Sequence, residues 1–264
     1  MAEAPELLID TSLAPVAVLR INRPPNNFIT QTLVSAIADA YESLGASHDF
    51  RAIVLAAEGK NFCAGADFAA VGGAGESRST ALPASSVLAT YSIGARLIAA
   101  PLPVVAAVTG AAVGGGLGLA CTADFRVGSR STRLASNFAT LGVHHGFGLT
   151  VTLPPIAGFQ RANELLFTGR RIGGEEAARL GLLDRLVEDD RVLEEAIAFA
   201  KELAAAAPLA VRAIRSTMRQ GLPERFLAAA EHESKEQARL GGSEDFREGV
   251  SASNERRAPR FLGR

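Results

Sequence analysis

The stretch that decides the fold is PVVAAVTGAAVGGGLGLACTA, residues 103–123. It opens with a run of Val and Ala too short for a helix and rich in β-branched residues, which predicts a buried strand over 103–109. The glycines Gly110, Gly114, Gly115 and Gly116 then predict a tight turn, and GGLGLACTA predicts a buried helix over 114–123. Residues 97–123 carry no charge and are long enough on paper to span a bilayer. Two prolines, five glycines and a preponderance of Ala and Val argue instead for a strand, turn and helix inside a globular core.

The same unit recurs on either side. ELLIDT (6–11) and PVAVLRIN (15–22) read as two strands of a hairpin, and PPNN (24–27) reads as a turn. Leu33, Ile37, Ala40, Tyr41 and Leu44 have helical spacing, with Thr30 placed to cap the helix. RAIVLAA (51–57) is a buried strand, and GKNFCAGADF (59–68) is a turn leading into a short helix. Residues 84–100 and 148–168 read as helices. DFRVGS (124–129) and residues 133–136 read as short strands, and residues 168–188 as turn, helix, turn and strand. From about 190 to 256 the pattern is helical throughout. Buried strands alternating with helices predict an α/β fold with mostly parallel pairing. The helical tail is then a lid or an oligomerisation element.

Composition narrows the function. The 264 residues hold 27 Lys and Arg against 28 Asp and Glu, a net charge of −1, so no basic excess exists to grip a phosphate backbone and nucleic acid is not an expected partner. Cys63 and Cys121 cannot build a disulfide framework, and the four histidines include no H-E-x-x-H, so no metal site is expected. The acidic start MAEAPELLIDTS lacks an apolar h-region, so a cytoplasmic protein is expected. No phosphate-loop motif and no G-x-S-x-G occurs, and GGGLG (114–118) is not a dinucleotide fingerprint because Leu119 stands where the third glycine belongs.

Two glycine- and alanine-rich strand-to-helix turns remain, FCAGAD (62–67) and VGGGL (113–117). Each presents unpaired backbone N–H groups at a helix N-terminus, the positive end of the helix dipole. Two such turns converging on one point would stabilise an oxyanion. Taken singly, each is equally a tight turn packed inside an α/β core.

Together and in this order, the turns resemble the enoyl-CoA hydratase/isomerase (crotonase) family. The resemblance runs over nearly the whole chain: LRINRPPNN (19–27), FCAGAD, Gly110 followed by Gly114 to Gly116, ACTADFR (120–126), GFGLTVTLPPIAG (146–158), TGRRIGGEEAARLGLLDRLV (168–187) and EDFREGVSASNERRAPRFLGR (244–264). It implies an α/β spiral of ββα turns over residues 1–195, with a C-terminal helical trimerisation or lid region over 196–264. It also implies a homotrimer or homohexamer, an acyl-CoA thioester as ligand, lyase or isomerase chemistry in fatty acid metabolism, and no metal or redox cofactor. The oxyanion hole would be the N–H groups of Ala66 and Gly115. Asn27, Phe28, Ala64, Gly65, Asp67 and Phe138 would line the substrate channel.

The chain departs from that pattern where the family's chemistry resides. Family hydratases use two glutamates, and the corresponding positions here are Gly118 and Phe138. Residues 97–123 and 134–160 contain no Asp or Glu, so no shift of a few residues recovers either carboxylate. An oxyanion hole alone polarises a thioester but moves no proton. His145 is the nearest ionisable residue in the turn that borders the acyl pocket in this family, and its ordinary pKa of ~6.5 suits a base. His144, Asp67 and Glu76 (the last in the small, polar segment 72–81) are further candidates, while Cys63 reads as a packed residue. Two functions follow: an acyl-CoA enzyme working without the glutamate pair, and a catalytically silent acyl-CoA-binding carrier or regulatory protein.

Overall fold

The computed structural model describes residues 5–67 and 84–264. Glu76 and any helix beyond Asp67 lie outside the described residues. The hairpin forms as expected: β1 (Leu7–Asp10) runs antiparallel to β2 (Val16–Ile21), with Leu7 opposite Ile21 and Asp10 opposite Val18. Every other pairing in the main sheet is parallel. β3 (Ala52–Ala57) lies beside β2, then β4 (Val104–Val108), β6 (Phe125–Ser129) and β9 (Arg185–Val187), giving the order β1-β2-β3-β4-β6-β9. A second sheet of three short strands holds β5 (Ala111–Val113), β7 (Arg133–Ala135) and β8 (Arg171–Gly173).

Alternation along the strands explains the layers. In β2, Val16 and Val18 face one side of the sheet and Ala17, Leu19 and Ile21 the other, so the strand serves two cores at once. On the first side, α7 (Val192–Ala205) packs through Val192, Ala196, Ala200 and Ala204, a stride of four that keeps one narrow face of small residues against the sheet. On the other side lie α1 (Gln31–Ala46), α2 (Ala84–Ala99) and α3 (Gly115–Thr122). Thr30 caps α1, its hydroxyl accepting from the Leu33 N–H at 3.0 Å.

One expected helix is two. Over 148–168 the chain forms α4 (Leu149–Ala157) and α5 (Phe159–Thr168), separated at Gly158. Pro154 and Pro155 supply no backbone N–H to the ladder, and Gly158 holds φ at 80°, which ends the first helix and redirects the second. After α6 (Gly174–Arg179) and β9, the tail beyond α7 holds helices and no strand among the described residues: α8 (Pro208–Met218), α9 (Leu222–Gly241) and α10 (Glu244–Glu255), followed by residues 256–264 without helix.

The ACTADFR segment ties this tail to the sheet. The Asp124 carboxylate accepts from the Val104 N–H at 2.8 Å and pairs with Arg215 at 2.9 Å and Arg219 at 2.8 Å, both on or just beyond α8. Such a largely buried, charge-assisted cluster positions α8 more than it stabilises the fold. α9 lies across α2 and α4, so the helical tail packs on its own chain. No helix among the described residues is long and apolar enough to cross a membrane.

Candidate functional site

A cavity of about 280 Å³ opens where the two glycine turns meet. Its walls come from four places: the 28–29 and 64–67 segments, the turn at Gly114 and Gly115, residues 137–143, and the helices α2, α9 and α10.

The 62–67 turn is docked onto β5 by backbone bonds. The Cys63 N–H donates to Ala111 O and the Val113 N–H to Cys63 O, each at 3.0 Å, in a single parallel bridge. Gly65 then turns with φ of 84°, and a Cβ there would lie 2.6 Å from Val113 O and 3.4 Å from Gly115 N. A side chain at 65 would therefore push the two turns apart, and glycine lets them touch. Ala66 and Gly115 both line the cavity, and neither N–H donates to a backbone or side-chain acceptor among the described residues. Gly115 is the first residue of α3, where the N–H has no partner within the helix. Two donors without an acceptor among the described residues, at the mouth of one pocket and one of them at a helix N-terminus, form a place for an oxygen that carries or develops negative charge.

Phe28, Ala64, Gly65, Asp67 and Phe138 also line the cavity. Asn27 does not: it is fully buried and its side chain is used within the chain. Its Oδ1 accepts from the Arg23 N–H at 2.9 Å, and its Nδ2 donates to Glu58 O at 2.8 Å and Asn61 O at 2.7 Å. Asn27 thus pins the segment that presents Phe28 to the segment that leads into the 62–67 turn. Its φ of 51° lies in a region that Asn tolerates better than most side chains.

At the two positions where the resemblance leads one to expect glutamate, aromatic rings pack instead of a carboxylate: Phe147 against Gly118, and Phe138 itself. Phe138 lies over the second turn, its ring 3.6 Å from where a Gly114 Cβ would be. Gly118 is buried inside α3, and a Cβ there would stand 2.7 Å from Phe147 Cβ. Phe147 is fully buried with φ of 56°, an expensive conformation for a bulky residue. Its ring packs edge-on against Tyr91 and Phe226, with centroids 5.6 and 6.2 Å away.

The histidines sit behind the wall, not in it. Neither His144 nor His145 is among the lining residues. Their rings stack at 4.1 Å, and His232 meets His144 edge-on at 5.8 Å. Thr150 Oγ1 donates to Glu233 at 2.6 Å, so at its 2.8 Å contact with His145 Nε2 it acts as acceptor. Burial, then the neighbouring charges of His144 and His232, push the His145 imidazole down to about 4. Glu233 is fully buried, accepts the Gly148 N–H at 2.8 Å and the Thr150 N–H at 3.2 Å, and is raised by burial against the pull of these bonds. This group joins α9 to the 144–150 turn. Asp67 is the one carboxylate among the described lining residues. The Cys63 thiol, buried beneath the first turn, is pushed up to about 12 by burial and is no nucleophile at neutral pH.

Tyr91, the one large aromatic of the 72–100 stretch, contributes to the cavity from α2, while sequence reading missed Gln237 on α9 and the pairing of the two. They lie 146 residues apart and no local motif marks them.

Residues 11–264 match the family described as enoyl-CoA hydratase/isomerase. Enoyl-CoA hydratase domain-containing protein 2, mitochondrial, of Mus musculus is 31% identical over 269 residues, covering 98% of this chain and 90% of the relative. Methylglutaconyl-CoA hydratase, mitochondrial, of Homo sapiens is 31% identical over 259 residues, covering 94% and 74%. The crystal structure of an enoyl-CoA hydratase/isomerase from Pseudoalteromonas atlantica superposes with a TM-score of 0.82 at 30% identity, covering 98% of this chain and 100% of that one. The fold is thus the crotonase fold. The chain belongs to the enoyl-CoA hydratase/isomerase family.

Proposed function

We propose that the protein binds an acyl-CoA thioester with the thioester oxygen between the N–H groups of Ala66 and Gly115, and that it stabilises the enolate of that thioester without adding water to a double bond. The observation that carries this reading is the pair of free N–H donors on one cavity wall, together with the aromatic filling of both positions where family hydratases carry glutamate.

In the reaction so read, the two N–H groups meet the carbonyl oxygen and gain strength as negative charge develops on it. One such donor contributes about 3–4 kcal/mol to the transition state in a water-excluded site. Phe28, Ile29, Val87 and Phe138 supply apolar wall around the acyl group and lower the local dielectric, which strengthens those bonds. Hydration also needs one group to activate water and one to deliver a proton to carbon. Phe147 occupies the space beside Gly118 and Phe138 stands at the other position, so neither group is supplied. Among the described lining residues, Asp67 is the carboxylate left to take a proton.

Family assemblies are trimers or pairs of trimers, and we extend that to this chain. α8 leaves Leu209, Ile214 and Met218 between 63% and 81% exposed, an apolar face that a second copy would cover.

The test is a panel of acyl-CoA thioesters, saturated, α,β-unsaturated and oxygenated, measured for binding by calorimetry and for turnover by mass spectrometry. Binding with conversion of at least one thioester, but no hydration of the unsaturated ones, is the expected result. Binding without conversion across the panel would assign the chain to the silent carrier reading. No binding would refute both.

A further inference from the structure

Tyr91 and Gln237 form the polar end of the cavity. Gln237 Nε2 lies 2.9 Å from His144 O and 3.2 Å from the Tyr91 hydroxyl, and Gln237 Oε1 lies 3.3 Å from the same hydroxyl. A carbonyl can only accept, so the nitrogen of the amide faces His144 O, and the side-chain orientation is set by that bond. The second Nε2 proton then serves the Tyr91 oxygen as an acceptor. The hydroxyl's own proton has Oε1 for a partner at a distance well beyond the 2.7–2.8 Å usual for O–H···O. A ligand oxygen in the cavity is the better acceptor.

Two further contacts fix where the phenol stands. A Cβ on Gly146 would stand 2.4 Å from Tyr91 Cε2, 2.5 Å from its hydroxyl oxygen and 2.6 Å from Gln237 Nε2, so the phenol occupies the place that a side chain at 146 would take. The Phe147 ring stands edge-on to Tyr91 and reaches to 4.0 Å from a Gly115 Cβ, so one aromatic ring separates the phenol from the second glycine turn. Tyr91 therefore serves the acyl group, away from the thioester oxygen. Burial raises its pKa, and the Glu233 charge adds to that while the Gln237 bond opposes it, so the phenol keeps its proton through the neutral range. No Lys or Arg is among the described lining residues, which disfavours a carboxylate on the ligand and leaves a neutral oxygen.

We propose that Tyr91, oriented by Gln237, is a specificity-determining hydrogen-bond donor, and that the acyl group this site selects carries a neutral keto or hydroxyl oxygen instead of a plain alkyl chain. This rests on the acyl-CoA reading of the site given above.

The experiment is calorimetric titration of 3-oxobutanoyl-CoA, 3-hydroxybutanoyl-CoA and butanoyl-CoA into the wild type, Tyr91→Phe and Gln237→Leu, with melting temperatures to establish that each variant is folded. At least one oxygenated thioester should bind the wild type about tenfold more tightly than butanoyl-CoA, the scale of one neutral hydrogen bond. Tyr91→Phe should remove that advantage and leave butanoyl-CoA within twofold of its wild-type affinity. Gln237→Leu should reduce the advantage by leaving the phenol unoriented. Butanoyl-CoA binding as tightly as both oxygenated ligands in the wild type, or an advantage that survives in Tyr91→Phe, would overturn the role of Tyr91 and leave the acyl-CoA reading standing. Failure of all three thioesters to bind the wild type would overturn both.

Discussion

Phe147 fills the space that Gly118 leaves empty: a Cβ on Gly118 would lie 2.7 Å from the Phe147 Cβ and 3.1 Å from its Cδ1. The two residues are one packing unit, and a side chain at 118 cannot be added while Phe147 keeps its place. Phe147 accepts a left-handed φ of 56° to stand there, so the ring is held by its surroundings and not by local preference. The absence of a carboxylate at 118 is therefore built into the core.

Gly118→Glu as a single substitution should destabilise the protein by about 2–4 kcal/mol through overpacking and a buried charge, read by denaturant unfolding. Phe147→Ala in the same chain should recover part of that loss. An unchanged midpoint for the single variant would contradict the packing.

Hydration of but-2-enoyl-CoA by the wild type should be absent or slower than that of an ordinary family hydratase by up to ~10⁴–10⁸, since each missing acid–base group is worth ~10²–10⁴ when effects add. The triple variant Gly118→Glu, Phe138→Glu, Phe147→Ala is the one in which measurable hydration should emerge. Wild-type hydration at ordinary enzymatic rates would refute the reading.

Asn27→Ala should cost about 2–4 kcal/mol, because it deletes an acceptor for Arg23 and leaves two carbonyls, Glu58 O and Asn61 O, without their donor. It should also weaken acyl-CoA binding indirectly by loosening Phe28. Unchanged stability would mean that the segment is held by other contacts.

The depressed pKa of His145, about 4 in the fold against 6.5 when unfolded, means that the unfolded chain binds the extra proton first. The stability this group contributes is fully present above pH ~6.5 and is lost as pH falls toward 4, by up to about 3 kcal/mol. Unfolding free energy measured between pH 7 and 4 should fall less steeply in His145→Gln. Identical slopes would place the titration elsewhere.

Sedimentation of the wild type should give a trimer or hexamer, and replacing Leu209, Ile214 and Met218 together by Ser should shift it toward smaller species. A wild-type monomer at micromolar concentration would contradict the assembly.

Much of this architecture is legible in the chain because it is written locally. The run VAVLRI over 16–21 is apolar on both faces as a buried strand must be, Thr30 stands directly before a helical stripe, and the glycines at 65 and 114 mark turns by left-handed conformations that glycine adopts easily. The site is legible to the extent that it is backbone. Side-chain partners distant in sequence are not: nothing near Gly118 announces Phe147, and nothing in α2 links Tyr91 to Gln237. His145 shows the limit from the other side. Val143, two residues before it, borders the cavity, yet the His145 ring points to Thr150 and Glu233 because α9 supplies a buried carboxylate there. The single helix expected over 148–168 divides at Gly158, whose left-handed φ follows a turn already weakened by Pro154 and Pro155.

The central claim is that Ala66 and Gly115 grip a thioester oxygen. Isotope-edited infrared spectroscopy of butanoyl-CoA carrying ¹³C at the thioester carbon reads that bond directly. Bound to the wild type, the carbonyl stretch should move to lower wavenumber than in solution, and the shift should persist in Gly115→Ala, which keeps the N–H, but shrink in Gly115→Pro, which removes it while remaining compatible with the first position of α3. A bound ligand whose carbonyl stretch is unmoved from its value in water, or a shift that is the same in all three proteins, would contradict the account.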